Sequence, residues 1–192
     1  MPRTSKQFET IRSERREAIL EAALHVFAED GYHSASISKV SKAAGISKGL
    51  MYNYFESKEE LLKILIGSLL DEENARAVKV LQKPMNDDTL IELIKLTSEI
   101  MKKNPLQWKL YFNMINQPQV MEIVKEKYSS EHALGMHKLL EYFKQNGAED
   151  PLSELHYFSS TILGLKVSYL MDPVNFPIDE IEKRIIRTFI KK

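Results

Sequence analysis

Residues 36–61 read SISKVSKAAGISKGLMYNYFESKEEL. Serines at 36, 47 and 57 each precede a stretch of helical apolar spacing, and one glycine, Gly45, separates the first two stretches. Serine is a favoured N-cap because its side-chain oxygen accepts from a backbone N–H that the first helical turn leaves unpaired. The spacing predicts a helix from Ser36 to about Ala44, buried through Ile37, Val40 and Ala44, with small Ser41 beside them. Gly45 supplies the positive φ of a tight helix–helix turn, and apolar Ile46 plugs the corner. A second short helix, Lys48 to about Tyr54, turns Leu50, Met51 and Phe55 inward. Ser57-Lys58-Glu59-Glu60 is a capping box opening a third helix. A small residue four before the glycine lets two helices cross closely, and an apolar residue six after it closes the angle. Together these make a helix-turn-helix pattern.

The charge along this segment has its own pattern. The chain carries 27 Lys plus Arg and 27 Asp plus Glu, so its net charge of zero says nothing about a polyanionic partner. Only local charge can do that. From Gly31 to Phe55 there is no carboxylate, while Lys39, Lys42 and Lys48 fall inside the stretch. DNA presents one negative charge per roughly 1.7 Å of axis, so a contact face favours cations and excludes carboxylates. The N-termini at Ser36 and Ser47 add backbone donors for phosphate, and Tyr52 and Tyr54 add hydroxyls.

Outward from this segment the apolar period is helical almost everywhere, with no convincing run of strict alternation. Ile19, Ala22, Ala23, Val26 and Phe27 form a face ending at Asp30-Gly31, and Leu61, Leu62, Leu65, Ile66, Leu69 and Leu70 form another. Prolines follow Asn104, Gln117 and Asp150, each where a first helical residue would sit. Asn146-Gly147 reads as a helix stop, and Asp172-Pro173 through Pro177 separates the last two helices. The expectation is an all-α chain of about nine helices. Residues 1–60 would form a three-helix domain with a disordered or helical arm at 1–12. Residues 61–192 would form a larger helical domain.

Composition excludes several classes. There are no cysteines, so disulfides, thiolate metal sites and thiol catalysis are absent. The N-terminus MPRTSKQFETIRSERREAIL lacks the apolar core of a signal peptide. The run LLKILIGSLL at 61–70 is too short to span a bilayer. A cytoplasmic protein with no membrane partner is expected. No nucleophile–base pattern, metal-ligand spacing or phosphate-cradling loop is present, so neither enzymatic activity nor a cofactor is expected. His132 and His137 stand five apart, off a common helix face, which argues against a metal site.

The stretch from about Arg16 to Leu62, containing AILEAALHVFAEDGYHSASISKVSKAAGISKGLMYNYFESKEELL, resembles the tetracycline-repressor (TetR) family of bacterial transcription regulators. Phe27, Gly31, Tyr32, Ser36, Ala44, Gly45, Ser47, Gly49, Tyr52, Tyr54, Phe55, Lys58 and Leu61 fit that family's pattern. Ser41 stands where alanine is commoner and Leu50 where threonine is common. The resemblance covers roughly a quarter of the chain. It implies a homodimeric, ligand-responsive repressor whose N-terminal domain reads a palindromic double-stranded operator. By position it assigns Ser36, Lys39 and Ser47 to the DNA face. It sets Lys48 and Gly49 at base edges, Asn53 near bases or backbone, and Tyr52, Tyr54 and Lys58 on phosphates. Lys48 is the candidate reader of guanine O6 and N7. Arg12, Arg15 and Arg16 either extend the DNA face or form a solvated one with Glu14 and Glu17. A helical protein–protein module on the same fold is the alternative left open.

Beyond residue 65 the residues carry the reading. Ser160, Gly164 and Ser168 form a small-residue stripe that lets another helix approach closely, whereas Phe158, Ile162, Leu165 and Tyr169 line a bulky face. The family resemblance implies that the last two helices pair with those of a second copy, which assigns the stripe to a dimer interface with Ile181, Ile185 and Phe189 packing from the last helix; a close contact with a helix of the same chain is the alternative. Trp108, Tyr111, Phe112, Tyr128 and Met136, with Met114, Tyr142 and Phe143, are candidates to line a ligand pocket. His132, His137, His156 and Lys166 are the polar candidates to orient its occupant. The expected effector is apolar or amphipathic.

Overall fold

The structure, a computed structural model, describes residues 5–190. Nine helices are present among the described residues: α1 (Ser5–Asp30), α2 (Ile37–Ala43), α3 (Lys48–Met51), α4 (Lys58–Leu81), α5 (Asp87–Lys103), α6 (Pro105–Met114), α7 (Pro118–Gln145), α8 (Pro151–Met171) and α9 (Ile178–Phe189). The described part of the N-terminal arm is thus the first turns of α1; residues 1–4 of that arm lie outside the described residues.

The boundaries follow from the chemistry at the ends. Ser36 Oγ accepts from Lys39 N at 3.2 Å, Ser47 Oγ from Leu50 N at 3.1 Å, and Ser57 Oγ from Glu60 N at 3.0 Å. The return half of the expected capping box is shifted by one residue. The Glu60 carboxylate accepts from the N–H of Glu56, at 2.5 Å, instead of from that of Ser57. Prolines 105, 118 and 151 open α6, α7 and α8, where a missing N–H loses no intrahelical bond. Asp150 caps α8 through Leu152 N and Ser153 N.

The helix at 48–54 is shorter than its spacing predicts. Regular helix ends at Met51, and Tyr52–Tyr54 form a turn in which Asn53 N donates to Leu50 O and Tyr54 N to Met51 O. Met51 and Phe55 are both buried. Phe55 N still donates to Met51 O at 3.1 Å, so the two residues, four apart, stay on one face. At the turn between α2 and α3, Gly45 has φ +65°, and an added Cβ there would meet nothing within 4 Å. The cost of a side chain at this position is therefore backbone strain alone. Gly45→Ala is expected to lower stability by about 1–2 kcal/mol, seen as a lower urea midpoint with an unchanged m-value.

Two apolar cores hold the chain. The first gathers Ile19, Ala23 and Phe27 of α1, Val40 of α2, Met51, Phe55, and Leu61, Leu62, Leu65 and Ile66 of α4. The second gathers Leu69 of α4 with Leu90, Ile94 and Met101 of α5, Tyr142 and Phe143 of α7, Phe158 and Leu165 of α8, and Ile185 and Phe189 of α9. Helix α6 belongs to both: Leu110 and Met114 enter the first core and Trp108 the second, while Tyr111 packs against each. Helix α4 likewise runs from one core into the other. Helices α6 and α4 thus connect the second core to the core of the helix-turn-helix.

Candidate nucleic-acid interface and cavity

Ser47, Lys48, Gly49, Tyr52 and Asn53 are all exposed at the outer edge of α3 and its following turn. Gly49 is informative by what surrounds it. Its φ is ordinary, and a Cβ built there meets nothing within 4 Å. Neither backbone conformation nor packing inside the chain requires glycine, although glycine in a helix costs about 1 kcal/mol relative to alanine. A bare backbone facing outward suits close approach of an external surface. Ser36 and Ser47 spend their oxygens as caps, yet a hydroxyl accepts and donates at once. Each O–H thus remains a donor for an external oxygen.

Two residues expected on the DNA face, Lys58 and Lys39, also make contacts within the chain. Lys58 Nζ donates to Tyr32 O at 3.0 Å and Ala35 O at 3.1 Å, and lies 4.4 Å from the Tyr32 ring centroid. Two of its three donors thus fasten the corner between α1 and α2, leaving one for any outside oxygen. Lys39 pairs with Asp30 Oδ2 at 2.7 Å. The acid-free stretch is acid-free only along the chain, because folding brings back a carboxylate from its border. Lys42 and Lys48 are exposed, with no ion pair to either among the described residues. The Arg12 guanidinium lies 6.0 Å from the Tyr54 ring centroid, and that of Arg16 lies 5.0 Å from that of Phe55. Their four-residue spacing on α1 aligns both cations with the end of the α3 turn. Burial, followed by the Glu59 carboxylate, pushes the Tyr32 phenol up to about 12, so it stays neutral beneath this face.

A cavity of about 480 Å³ lies between α4, α5, α6, α7 and α8, within the roughly 300–1,000 Å³ of small-molecule sites. All six sequence candidates, Trp108, Tyr111, Phe112, Tyr128, His132 and Met136, line it. Met114, Tyr142 and Phe143 do not; they pack into the two cores. His137 and His156 are exposed elsewhere, while Lys166 lines the cavity. The wall is largely apolar, with Leu93, Leu96, Ile100, Leu139 and Ile162 completing it. Trp108 and Tyr111 meet edge to face at 5.5 Å. Burial, and then Glu73, raises the Tyr111 phenol above its ordinary value, keeping it a proton donor. Among the described residues no group of three His, Asp or Glu side chains is arranged to hold a metal ion. No helix among them is long and apolar enough to cross a membrane.

On the outer flank of α8, Tyr157, Ser160, Leu163, Gly164, Val167 and Met171 are exposed, Met171 by 83%. Ser168, expected to continue the stripe of Ser160 and Gly164, is half-buried. A strict four-residue step drifts about 40° around a helix, so the open face passes to Val167 and Met171. Ile185 and Phe189 are buried in the chain's own second core, and Ile181 packs beside them. Helix α9 packs on α5 and α8 of the same chain; Phe189 meets Phe158 edge to face at 5.0 Å.

An exposed helix-turn-helix edge is thus joined to an all-helical bundle that holds a largely apolar cavity. Residues 19–65 match the model for bacterial regulatory proteins of the tetR family. The HTH-type transcriptional regulator UidR of Escherichia coli (strain K12) is 34% identical over 118 residues, 59% of this chain and 58% of UidR. The match thus spans less than two thirds of that relative. The structure of the ketosteroid transcriptional regulator KstR2 of Mycobacterium tuberculosis superposes with a TM-score of 0.75 at 20% identity, covering 93% of this chain and 96% of that one. FadR from Bacillus subtilis, solved in complex with stearoyl-CoA, gives 0.68 at 19% identity, over 88% and 95% of the two chains. At these identities the two structures establish the shared fold.

Proposed function

We propose that this protein is a ligand-responsive, DNA-binding transcriptional repressor that acts in the cytoplasm as a homodimer on a palindromic operator. It would work by binding, with no catalysis and no cofactor. Residues 1–60 read DNA, and residues 61–192 hold the effector and form the dimer. The observation that carries the reading is the outer edge of α3, where Ser47, Lys48 and Gly49 present donors and bare backbone with nothing of the chain over them. An edge this short inserts end-on into a major groove about 12 Å wide. Lys48 and Asn53 then meet base edges, while Ser36, Tyr52, Tyr54, Lys42 and the third donor of Lys58 meet phosphates. Arg12 and Arg16 flank them.

The exposed flank of α8 is the proposed dimer face, with the outward side of α9 beside it. Gly164 has nothing within 4 Å of an added Cβ, which leaves room for a partner helix. The cavity is the effector site, and α6 is the lever, since its Trp108 side borders the cavity and its Leu110–Met114 side is core to the helix-turn-helix. An effector shifts the operator equilibrium only as far as it binds the two separations of the reading heads unequally.

Selection from a random duplex library at two salt concentrations tests the reading. A palindrome with half-sites about one helical turn or more apart is expected, bound with an affinity that falls steeply with salt. Absence of any enriched sequence at low salt, from folded dimer, would instead favour a helical protein-interaction module.

A further inference from the structure

One charged contact crosses the cavity. Lys166 Nζ of α8 bonds Glu73 Oε1 of α4 at 3.0 Å, with side chains only 18% and 25% exposed. The same ammonium lies 5.2 Å from the centroid of the Trp108 ring, on α6. Glu73, Trp108 and Lys166 all line the cavity. The other charged liner, Glu131, is turned to its neighbour, accepting from Ser130 Oγ at 2.7 Å.

We infer that Lys166 is the head-group anchor of the cavity, that the effector is an amphipathic monocarboxylic acid, and that its carboxylate displaces Glu73 from Lys166. The inference rests on the proposed effector role of the cavity. Its physical basis is an asymmetry between the two partners. Lys166 is held twice, by Glu73 and by the face of Trp108, and a cation over an indole keeps part of its stabilisation when its counter-ion leaves. Glu73 has Lys166 as its one ion partner among the described residues. An ammonium also has three donors, of which Glu73 occupies one. An incoming carboxylate therefore finds a fixed, unsaturated cation at one end of an otherwise apolar chamber. Its hydrocarbon body lies against Leu96, Ile100, Phe112 and Ile162. Exchange of partners releases α4 from α8, and α4 runs directly into the helix-turn-helix core.

Trp108 is the only tryptophan, so its fluorescence reports on the cavity without DNA. Titrations of decanoate, 1-decanol and decylamine below micellar concentrations are compared on wild type, Lys166→Met, Lys166→Arg and Glu73→Gln, with thermal melts confirming each fold. Decanoate is expected to bind wild type best and to lose about tenfold or more with Lys166→Met. It should be retained within about threefold by Lys166→Arg, which keeps the charge, and bind Glu73→Gln at least as tightly as wild type. Preference for decylamine, abolished by Glu73→Gln, would overturn the assignment in favour of a cation site. Equal binding of all three, indifferent to both positions, would overturn the head-group anchor while leaving the cavity an apolar effector site. No binding of any of the three by folded wild type would remove the acid effector and the effector role of the cavity together, leaving DNA reading intact.

Discussion

Phe27→Ala is expected to destabilise the protein by about 3–5 kcal/mol, the usual cost of emptying a buried aromatic site. Phe27 is fully buried, meets Tyr32 edge to face at 5.2 Å, and shares the first core with Val40, Met51 and Phe55. These are the residues that set α2 and α3 against α1. The neighbouring backbone cannot collapse into the space, because the corner between α1 and α2 is fastened by Lys58 through Tyr32 O and Ala35 O. Since whole domains are stable by only about 5–15 kcal/mol, the loss consumes a large share of the total. A circular-dichroism melt measures it, and operator binding should fail at temperatures where wild type still binds. Phe8→Ala, on an exposed side chain of the same helix, is the control and should change the melt little. An unchanged melt for Phe27→Ala would contradict the packing described.

Lys48→Ala is expected to weaken operator binding by roughly 10²-fold. One good side-chain pairing with a base is worth about 1–3 kcal/mol, and a two-fold dimer loses it at both half-sites. No compensating loss of stability is expected, because Lys48 is exposed with no ion pair to it among the described residues. The form of the loss identifies the contact. If Lys48 reads a base, specificity relaxes at one position of each half-site. If it meets phosphate, all sequences weaken together and the salt dependence drops by about one charge per head. Repeating the library selection with the variant distinguishes these outcomes. Undiminished affinity and specificity would remove Lys48 from the interface.

The helix-turn-helix was legible because its signals are local. Serine caps, a glycine at a turn and apolar residues at helical spacing act within one or two turns of chain, and each was found where it was read. The pocket candidates at Trp108, Tyr111, Phe112, Tyr128, His132 and Met136 converge on one cavity because α6 and α7 keep a regular period over their whole length. What the reading lacked was long-range information. Nothing in the stretch 31–55 says that Asp30 returns to Lys39, or that Lys58 turns inward onto carbonyls of the corner between α1 and α2. Ile185 and Phe189 show the same limit from the other side. An apolar stripe on a helix says that a face is buried, and both residues are buried in a core of their own chain, where α9 packs on α5 and α8.

What the sequence by itself determined is the set of helices, their capped ends and the helix-turn-helix. These depend on propensity, backbone geometry and contacts a few residues apart. What only the tertiary structure decided is which charges are free, where α3 yields to a turn, which flank of α8 stays open, and that Glu73 meets Lys166 from 93 residues away across a cavity. Such pairings depend on how rigid helices cross, and rotation of a distant helix by a fraction of a turn would change them while leaving the local pattern the same.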